Sequence, residues 1–375
     1  MIVRKTVKIK LDSSNKSKID RLEKCWSLVQ SAASQYLKHR KSQLETKDFS
    51  KTGDKIYAEL RSSIPDLNSA VLQQTTRRCD ELIRSHIAWC KKKHKFLELN
   101  QSPRMPISIR DTKVEISKTS KEFEAWLYLW RVKFPLKLAA YQADLLKRAT
   151  GYTISKITKT EDSNFVLHLG LEFDVKERVG TKTLGVDIGI VKPIVCSDGK
   201  QFGNGRLIKH KKIEFGKKRA KQASKAKDIS AKQSRWTSDT NHKLSKQLIN
   251  HCLLNEIDVL SLEKLSGSSL SNRKHRKYNW AFKDLLAKIE YKAKFCGIKV
   301  VCVDPRYTSR TCSSCGSQSK DNRETQSLFA CKSCGARMNA DVNAAKNIRG
   351  LSALEWGKLT IPEGKTKTLE SPSFS

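Results

Sequence analysis

The chain has 375 residues, enough for several domains, and its 74 Lys and Arg against 38 Asp and Glu give a formal charge of +36. A field of that sign points to a polyanion, nucleic acid first, and no run approaches the ~18 to 20 apolar residues of a membrane-spanning helix. The start, Met1-Ile2-Val3-Arg4-Lys5, alternates charge with apolar residues, so no secretion signal is expected, and isolated cysteines such as Cys25, Cys79, Cys196 and Cys302 suit a reducing cytosol.

In chain order, residues 1–12 read as a strand, with Val7, Ile9 and Leu11 alternating with lysines. From Lys18 to about Glu45, apolar residues from Ile19 to Leu37 recur at helical spacing, and Asp66 to Leu97 repeats the pattern with Val71, Thr75, Leu82, His86, Trp89 and Leu97 on one stripe. Between Ser102 and Asp174 short alternating runs such as Trp126-Leu127-Tyr128-Leu129 predict a small antiparallel barrel or sheet that the first strand completes. Residues 175–183 form a polar linker, after which strands and helices alternate as in an α/β domain. Gly205 to Lys246 is a basic helical segment whose only acids are Glu214, Asp228 and Asp239; it is either a solvated hairpin or a helix pair that grips a phosphate backbone. The polar tail after Gly357 is expected to be disordered.

Three carboxylates stand out in the α/β part. Asp187 follows Leu184-Gly185-Val186 in a strand pattern that disfavours aspartate, so it is a metal ligand or a turn-capping residue. Glu263 ends the apolar run Ile257–Leu262, and ligands gather at such strand ends, although a surface glutamate there is also common. Asp341 opens an Ala-rich helix, where it either caps the helix or faces a metal. Together they make an oxygen-only set suited to Mg²⁺ or Mn²⁺, and two such ions would serve phosphodiester cleavage.

Just upstream of Asp341, Cys312-x-x-Cys315 and Cys331-x-x-Cys334 are separated by fifteen residues, and a glycine follows each pair. That spacing predicts a four-thiolate structural zinc site rather than a redox dithiol, which would need one pair only.

The ordered combination of Gly185-Val186-Asp187-Ile188-Gly189, Leu262-Glu263-Lys264-Leu265, Trp280 with Glu290-Tyr291-Lys292, the Tyr307–Gly316 knuckle, and Cys331–Gly335 leading into Asp341–Ile348 resembles the TnpB proteins of insertion sequences and the related compact type V CRISPR effectors. The resemblance implies a multidomain α/β fold: an RuvC-like (RNase H-type) nuclease core over 181–310 and 337–352, with an inserted zinc ribbon at 311–336. A β-barrel wedge domain over 1–12 and 99–180 would carry a helical recognition insert at 13–98, and 353–375 would be a disordered tail. It further implies Asp187, Glu263 and Asp341 as catalytic Mg²⁺ ligands, a guide RNA, a double-stranded DNA target cut beside a short flanking motif, and a place in the prokaryotic cytosol or nucleoid. By the same resemblance Leu72-Gln73 lies where the family reads its flanking motif, so Gln73 is either a base reader or a solvated helix residue; Arg77 is on the same basic helix, and Arg310 replaces a common Gln and could grip a phosphate. Ser102-Pro103-Arg104-Met105-Pro106 departs from the run many relatives carry before the barrel. A guide-directed repressor would have lost an acidic ligand, and all three are present; a DNA-joining transposase shares the core, so the carboxylates alone do not separate it from a nuclease.

Overall fold

A computed structural model describes residues 1–11, 15–46, 53–94, 104–116, 124–264, 281–304 and 306–359. It forms two compact units, residues 2–174 and residues 175–375 with Met1. Trp280, Leu97, Pro103 and the tail beyond 359 lie outside the described residues. Among the described residues no helix is long and apolar enough to cross a membrane.

The first unit opens with strand β1 (Ile2–Lys10), followed by helices α1 (Lys16–Thr46), α2 (Gly53–Ser63) and α3 (Ser69–Lys93). Helix α3 starts after the position that its periodicity suggests, because Asn68 caps it: the Asn68 side chain accepts from the Ala70 and Val71 amides at 3.0 and 3.4 Å. It ends at His94, which takes the left-handed conformation at φ 50°. Trp89, expected on the buried stripe, is 42% exposed, because Ile83 is the last buried residue of the helix and the turns after it run past the core.

Strands β2 (Ile107–Ile109), β3 (Lys113–Ile116), β4 (Ala125–Leu129), β5 (Val132–Leu136), β6 (Gly151–Tyr152), β7 (Ser155–Lys159) and β8 (Phe165–Asp174) pair antiparallel. They form two sheets. One runs β1-β8-β7-β2 with β6 also on β8; the other runs β3-β4-β5, and the Leu11–Leu136 bridge joins the two. A helix the alternating pattern did not predict, α4 (Ala140–Arg148), interrupts them. Gln142 starts it: its side-chain oxygen accepts from the Ala139 amide at 2.7 Å, and its nitrogen donates to the Lys8 carbonyl at 2.7 Å.

The second unit is built on a five-stranded sheet of order β11-β10-β9-β12-β13. Its strands are β9 (Thr183–Asp187), β10 (Ile194–Cys196), β11 (Gln201–Phe202), β12 (Val259–Glu263) and β13 (Lys299–Val303). The meander β9-β10-β11 is antiparallel, whereas β12 runs parallel to both β9 and β13. Helices α5 (Gly205–Lys221) and α6 (Ala226–Leu254) make the basic hairpin, and α7 (Phe282–Phe295) leads into β13. One face of the sheet buries Leu184, Val186, Leu260 and Leu262 against Leu248, Cys252, Leu285 and Ile289 from α6 and α7. The short hairpin β14 (Leu328–Ala330) and β15 (Arg337–Asn339) precedes the last helix, α8 (Ala340–Leu359). That helix continues past residue 352, where disorder was expected to begin, because Ser352-Ala353-Leu354-Glu355-Trp356 contains no helix breaker.

Candidate functional site

Helix α8 lies on the second face of the sheet, and two small residues let it come close. A Cβ at Gly185 would stand 2.1 Å from the Ala345 carbonyl and 2.6 Å from the Arg349 amide, so only glycine fits on β9 there. On β12, Ser261 is fully buried and its hydroxyl donates to the Ile348 carbonyl at 2.9 Å. Glycine 185 and Asp187 are two apart on one strand, so they share the face that α8 covers.

The register then fixes the acids. Val186 pairs with Leu262, so Asp187 and Glu263 follow side by side at the carboxyl ends of adjacent parallel strands. Asp341 comes from the start of α8. It does not cap that helix, because Asn339 does: the Asn339 carbonyl oxygen of the side chain accepts from the Asp341 and Val342 amides at 3.0 and 3.2 Å. The Asp341 carboxylate is thereby left for other partners.

The electrostatics show that these three groups share one field. Burial pushes Asp187 up to about 7, with the nearby charges of Glu263 and Asp341 adding to the rise and Arg323 opposing it. Burial also raises Glu263, partly offset by Thr308, whose hydroxyl donates to Glu263 Oε1 at 2.7 Å. Asp341 is raised by burial and lowered by Arg323, whose Nη2 lies 3.5 Å from Asp341 Oδ1. Three acids that resist ionising together form a donor set that a divalent cation would relieve, and oxygen ligands without sulfur or histidine suit a hard ion.

The cysteines make a tighter cluster. Among the described residues, Cys312, Cys315, Cys331 and Cys334 are the one group of three or more such side chains whose ligand atoms all lie within 4.8 Å of one another. The carboxylates therefore share a field without that closed packing. The sulfurs of Cys312 and Cys334 are 3.7 Å apart, and those of Cys315 and Cys331 3.6 Å apart. Tetrahedral Zn–S bonds of about 2.3 Å put sulfurs about 3.8 Å apart, so both of these pairs match the spacing of a zinc site and the four could hold the ion. Both knuckles turn alike: the Gly316 and Gly335 amides donate back to the Cys312 and Cys331 carbonyls, with φ of 76° and 73°. Backbone amides, Cys334 first and then Ser333, pull the Cys331 thiol down to about 6.

Side chains that the sequence reading did not single out lock this ribbon to the acids. Asn322 is fully buried; its amide donates to the Arg310 and Ser317 carbonyls, and its oxygen accepts from the Lys332 amide, tying one knuckle to the other. From α8, Asn343 donates to Thr311 O at 2.8 Å and accepts from the Ser313 amide at 2.9 Å. Asn347 donates to Thr308 O and Thr311 O at 2.8 and 2.7 Å. Arg323 is the one ribbon side chain that reaches a carboxylate of the trio, and it also donates to Gln326 O. Only the Asn-rich pattern Asn339-x-x-x-Asn343-x-x-x-Asn347, at one helical turn per step, could have hinted at this.

The predicted nucleic-acid contacts fall elsewhere. Arg310 is exposed beside the first knuckle. Gln73 and Arg77 are exposed on α3, and Arg77 lines a cavity of about 680 Å³ with Arg4, Arg78, Arg110 and Lys156. Its neighbour Gln74, unmarked by any sequence signal, is 7% exposed, lines the same cavity, and its Nε2 is a buried side-chain nitrogen without a hydrogen-bond partner.

Comparison with known proteins gives the same reading as the motifs. Residues 282–348 match the family model described as Cas12f1-like, TNB domain. The chain is 28% identical over 211 residues to the CRISPR-associated endodeoxyribonuclease Cas12f1 of Sulfoacidibacillus thermotolerans, covering 50% of each chain. It is 28% identical over 193 residues to the putative RNA-guided DNA endonuclease InsQ of Escherichia coli, covering 44% of this chain and 48% of that one. To a TnpB-like protein of Methanocaldococcus jannaschii it is 32% identical over 179 residues, covering 42% of this chain and 64% of that one. The chain thus resembles TnpB-like proteins and Cas12f nucleases, and it spans about half the length of the Cas12f1 and InsQ relatives it matches.

Proposed function

We propose that this protein is an RNA-guided endonuclease that cuts double-stranded DNA beside a short flanking motif, with Asp187, Glu263 and Asp341 holding Mg²⁺ or Mn²⁺ in an RuvC-like site. The observation that carries the reading is the junction of two parallel strand ends and a helix start, where Asp187 is pushed up to about 7 by burial and by the other two acids. When bound, a pair of divalent ions activates a water and offsets charge on the leaving oxygen.

The remaining parts have roles of their own. Thr308 fixes one oxygen of Glu263, leaving the other for a metal, and the Asn339 cap holds the first turn of α8 so that Asp341 stays aimed at the strand ends. Arg323 supplies a cation beside the trio, 3.5 Å from Asp341, and would be placed to take a phosphate oxygen of the substrate. The four cysteines hold one structural zinc, and they leave no open position on it for chemistry. The first unit supplies the wedge and recognition parts, where Gln74 and Arg77 line the cationic cavity that would meet the flanking duplex and Gln73 is exposed on the same helix. The +36 chain holds the guide RNA and target backbones, while base pairing with the guide reads the target.

The test is plasmid cleavage by protein purified with its copurified RNA. Asp187→Ala is expected to abolish cutting and to keep the RNA. Full cutting by that variant would remove the metal-site assignment, and the absence of any copurified or required RNA would remove the guide. Transfer of DNA ends without RNA would favour a transposase.

A further inference from the structure

We propose that the outer face of the β3-β4-β5 sheet is a base-stacking platform for an unpaired stretch of RNA. Its inner face is closed: Ala125, Leu127 and Leu129 of β4 are 0%, 0% and 3% exposed. By the two-residue period of a strand, Trp126 and Tyr128 point outward, and both are half-buried. The register sets Lys113 of β3 and Lys133 of β5 on either side of Tyr128, with their ammonium groups 5.1 and 5.2 Å from its ring centre. Glu115 pairs with Lys113 and accepts from the Tyr128 hydroxyl, and Glu124, two residues before Trp126, accepts from the Leu138 amide, so Lys113, Lys133 and the turn residue Arg131 stand against two acids here among the described residues.

The turn of the hairpin adds a second, independent observation. Trp130 and Arg131 form a two-residue connection with φ of 48° and 65°. Such turns normally carry Asn-Gly, because left-handed backbone is unfavourable for larger residues. A Trp and an Arg held there keep a strained conformation, a feature that clusters at ligand-binding sites. Trp130 lines a cavity of about 490 Å³ with Arg21, Lys24 and Arg61, while Arg131 is exposed.

Aromatic faces flanked by cations stack on bases and neutralise the neighbouring phosphates. Rings can stack on base faces only where the bases are unpaired, so an occupant held by Trp126 and Tyr128 has splayed bases. The charge complementarity of Lys113, Lys133 and Arg131 selects a polyanion, and the assignment to RNA rests on the RNA-guided reading above.

The test is ultraviolet crosslinking of the intact, RNA-loaded protein with mass-spectrometric mapping, joined to titration of a labelled twelve-nucleotide oligouridylate. Crosslinks at Trp126, Tyr128 or Trp130, and a loss of roughly 5- to 150-fold in oligouridylate affinity for Tyr128→Ala, are expected. If Tyr128→Ala melts early, Lys113→Ala with Lys133→Ala reads the same face through a weaker salt dependence. Crosslinks confined to other segments with unchanged affinity would overturn the proposal. So would a concentration-dependent dimer that the variants abolish, which would make the face a self-interface. Protein purified without RNA that still crosslinks added oligouridylate here would spare the platform and sink the guide.

Discussion

The two candidate ligand sets of the second unit differ in how they are assembled. The four cysteines come from one stretch of chain and already lie within 4.8 Å of one another, with sulfur spacings that match zinc. The three carboxylates come from positions 187, 263 and 341 and meet only when β9, β12 and α8 are packed; burial raises all three, and the charges of Glu263 and Asp341 raise Asp187 further. A thiolate set of this kind stabilises its fold by binding metal, whereas an acid set is strained until metal or substrate arrives. The first is built to be permanent, the second to be reactive.

Removing zinc should break this contrast most severely. Structural zinc contributes about 10–16 kcal/mol of binding free energy in comparable sites, so a chelator or Cys331→Ser is expected to unfold residues 311–336. Cleavage should vanish with it although every carboxylate remains, because the contacts of Asn343, Asn347, Thr308 and Arg323 go with the ribbon. Hydrogen exchange checks this: amides of β9 and β12 should keep their protection. Full activity in zinc-free protein would show that the two sites are independent.

Gly185→Ala comes next. The added methyl would strike backbone of α8 rather than a movable side chain, so a loss of about 1–3 kcal/mol is expected by denaturant titration, with cleavage falling further than stability alone explains. Asp187→Asn sharpens the comparison in the opposite direction. In metal-free buffer it should raise the melting temperature by a few degrees, by relieving repulsion, while cleavage drops to background.

The pH dependence follows from the same acid. Its folded pKa of about 7 lies above that of an unfolded aspartate, so the folded state holds a proton that the unfolded chain releases. Stability of the metal-free protein from this group is full below about pH 4 and lost as pH rises through about 7. Differences between wild type and Asp187→Asn, measured by denaturant unfolding across pH 4–8 in EDTA, isolate it. The smallest expected effect is that of Thr308→Val: Glu263 loses its one described donor, and cleavage is expected to slow by about ten-fold with little change in stability.

What could be read in the sequence was what is local. The cysteine spacing, the apolar run ending at Glu263 and the strand around Asp187 each declare themselves within a few residues. Asp341 remained open between a cap and a ligand, and the cap belongs to Asn339, one position before the helix. Arg323, Thr308 and Asn322 were invisible because their partners are brought by folding from other segments, and Gln74 because folding alone buries it in the cavity wall. Helix α4 was missed because its short run sits among strands, and its start depends on Gln142 reaching Lys8 across the unit.

The β14–β15 hairpin and the Asn339 cap also set a length. Residues 328–330 pair with 337–339, the fourth cysteine lies in the turn between them, and Asp341 follows two residues after the last pair. One residue inserted between Cys334 and Asp341 would turn the carboxylate about 100° around the axis of α8. The same insertion at Thr325-Gln326, where both side chains are exposed, leaves that phase untouched. The few residues after the last cysteine thus act as a fixed-length spacer, in which Gly335 and Asn339 are bound to their identities and the rest chiefly to their number.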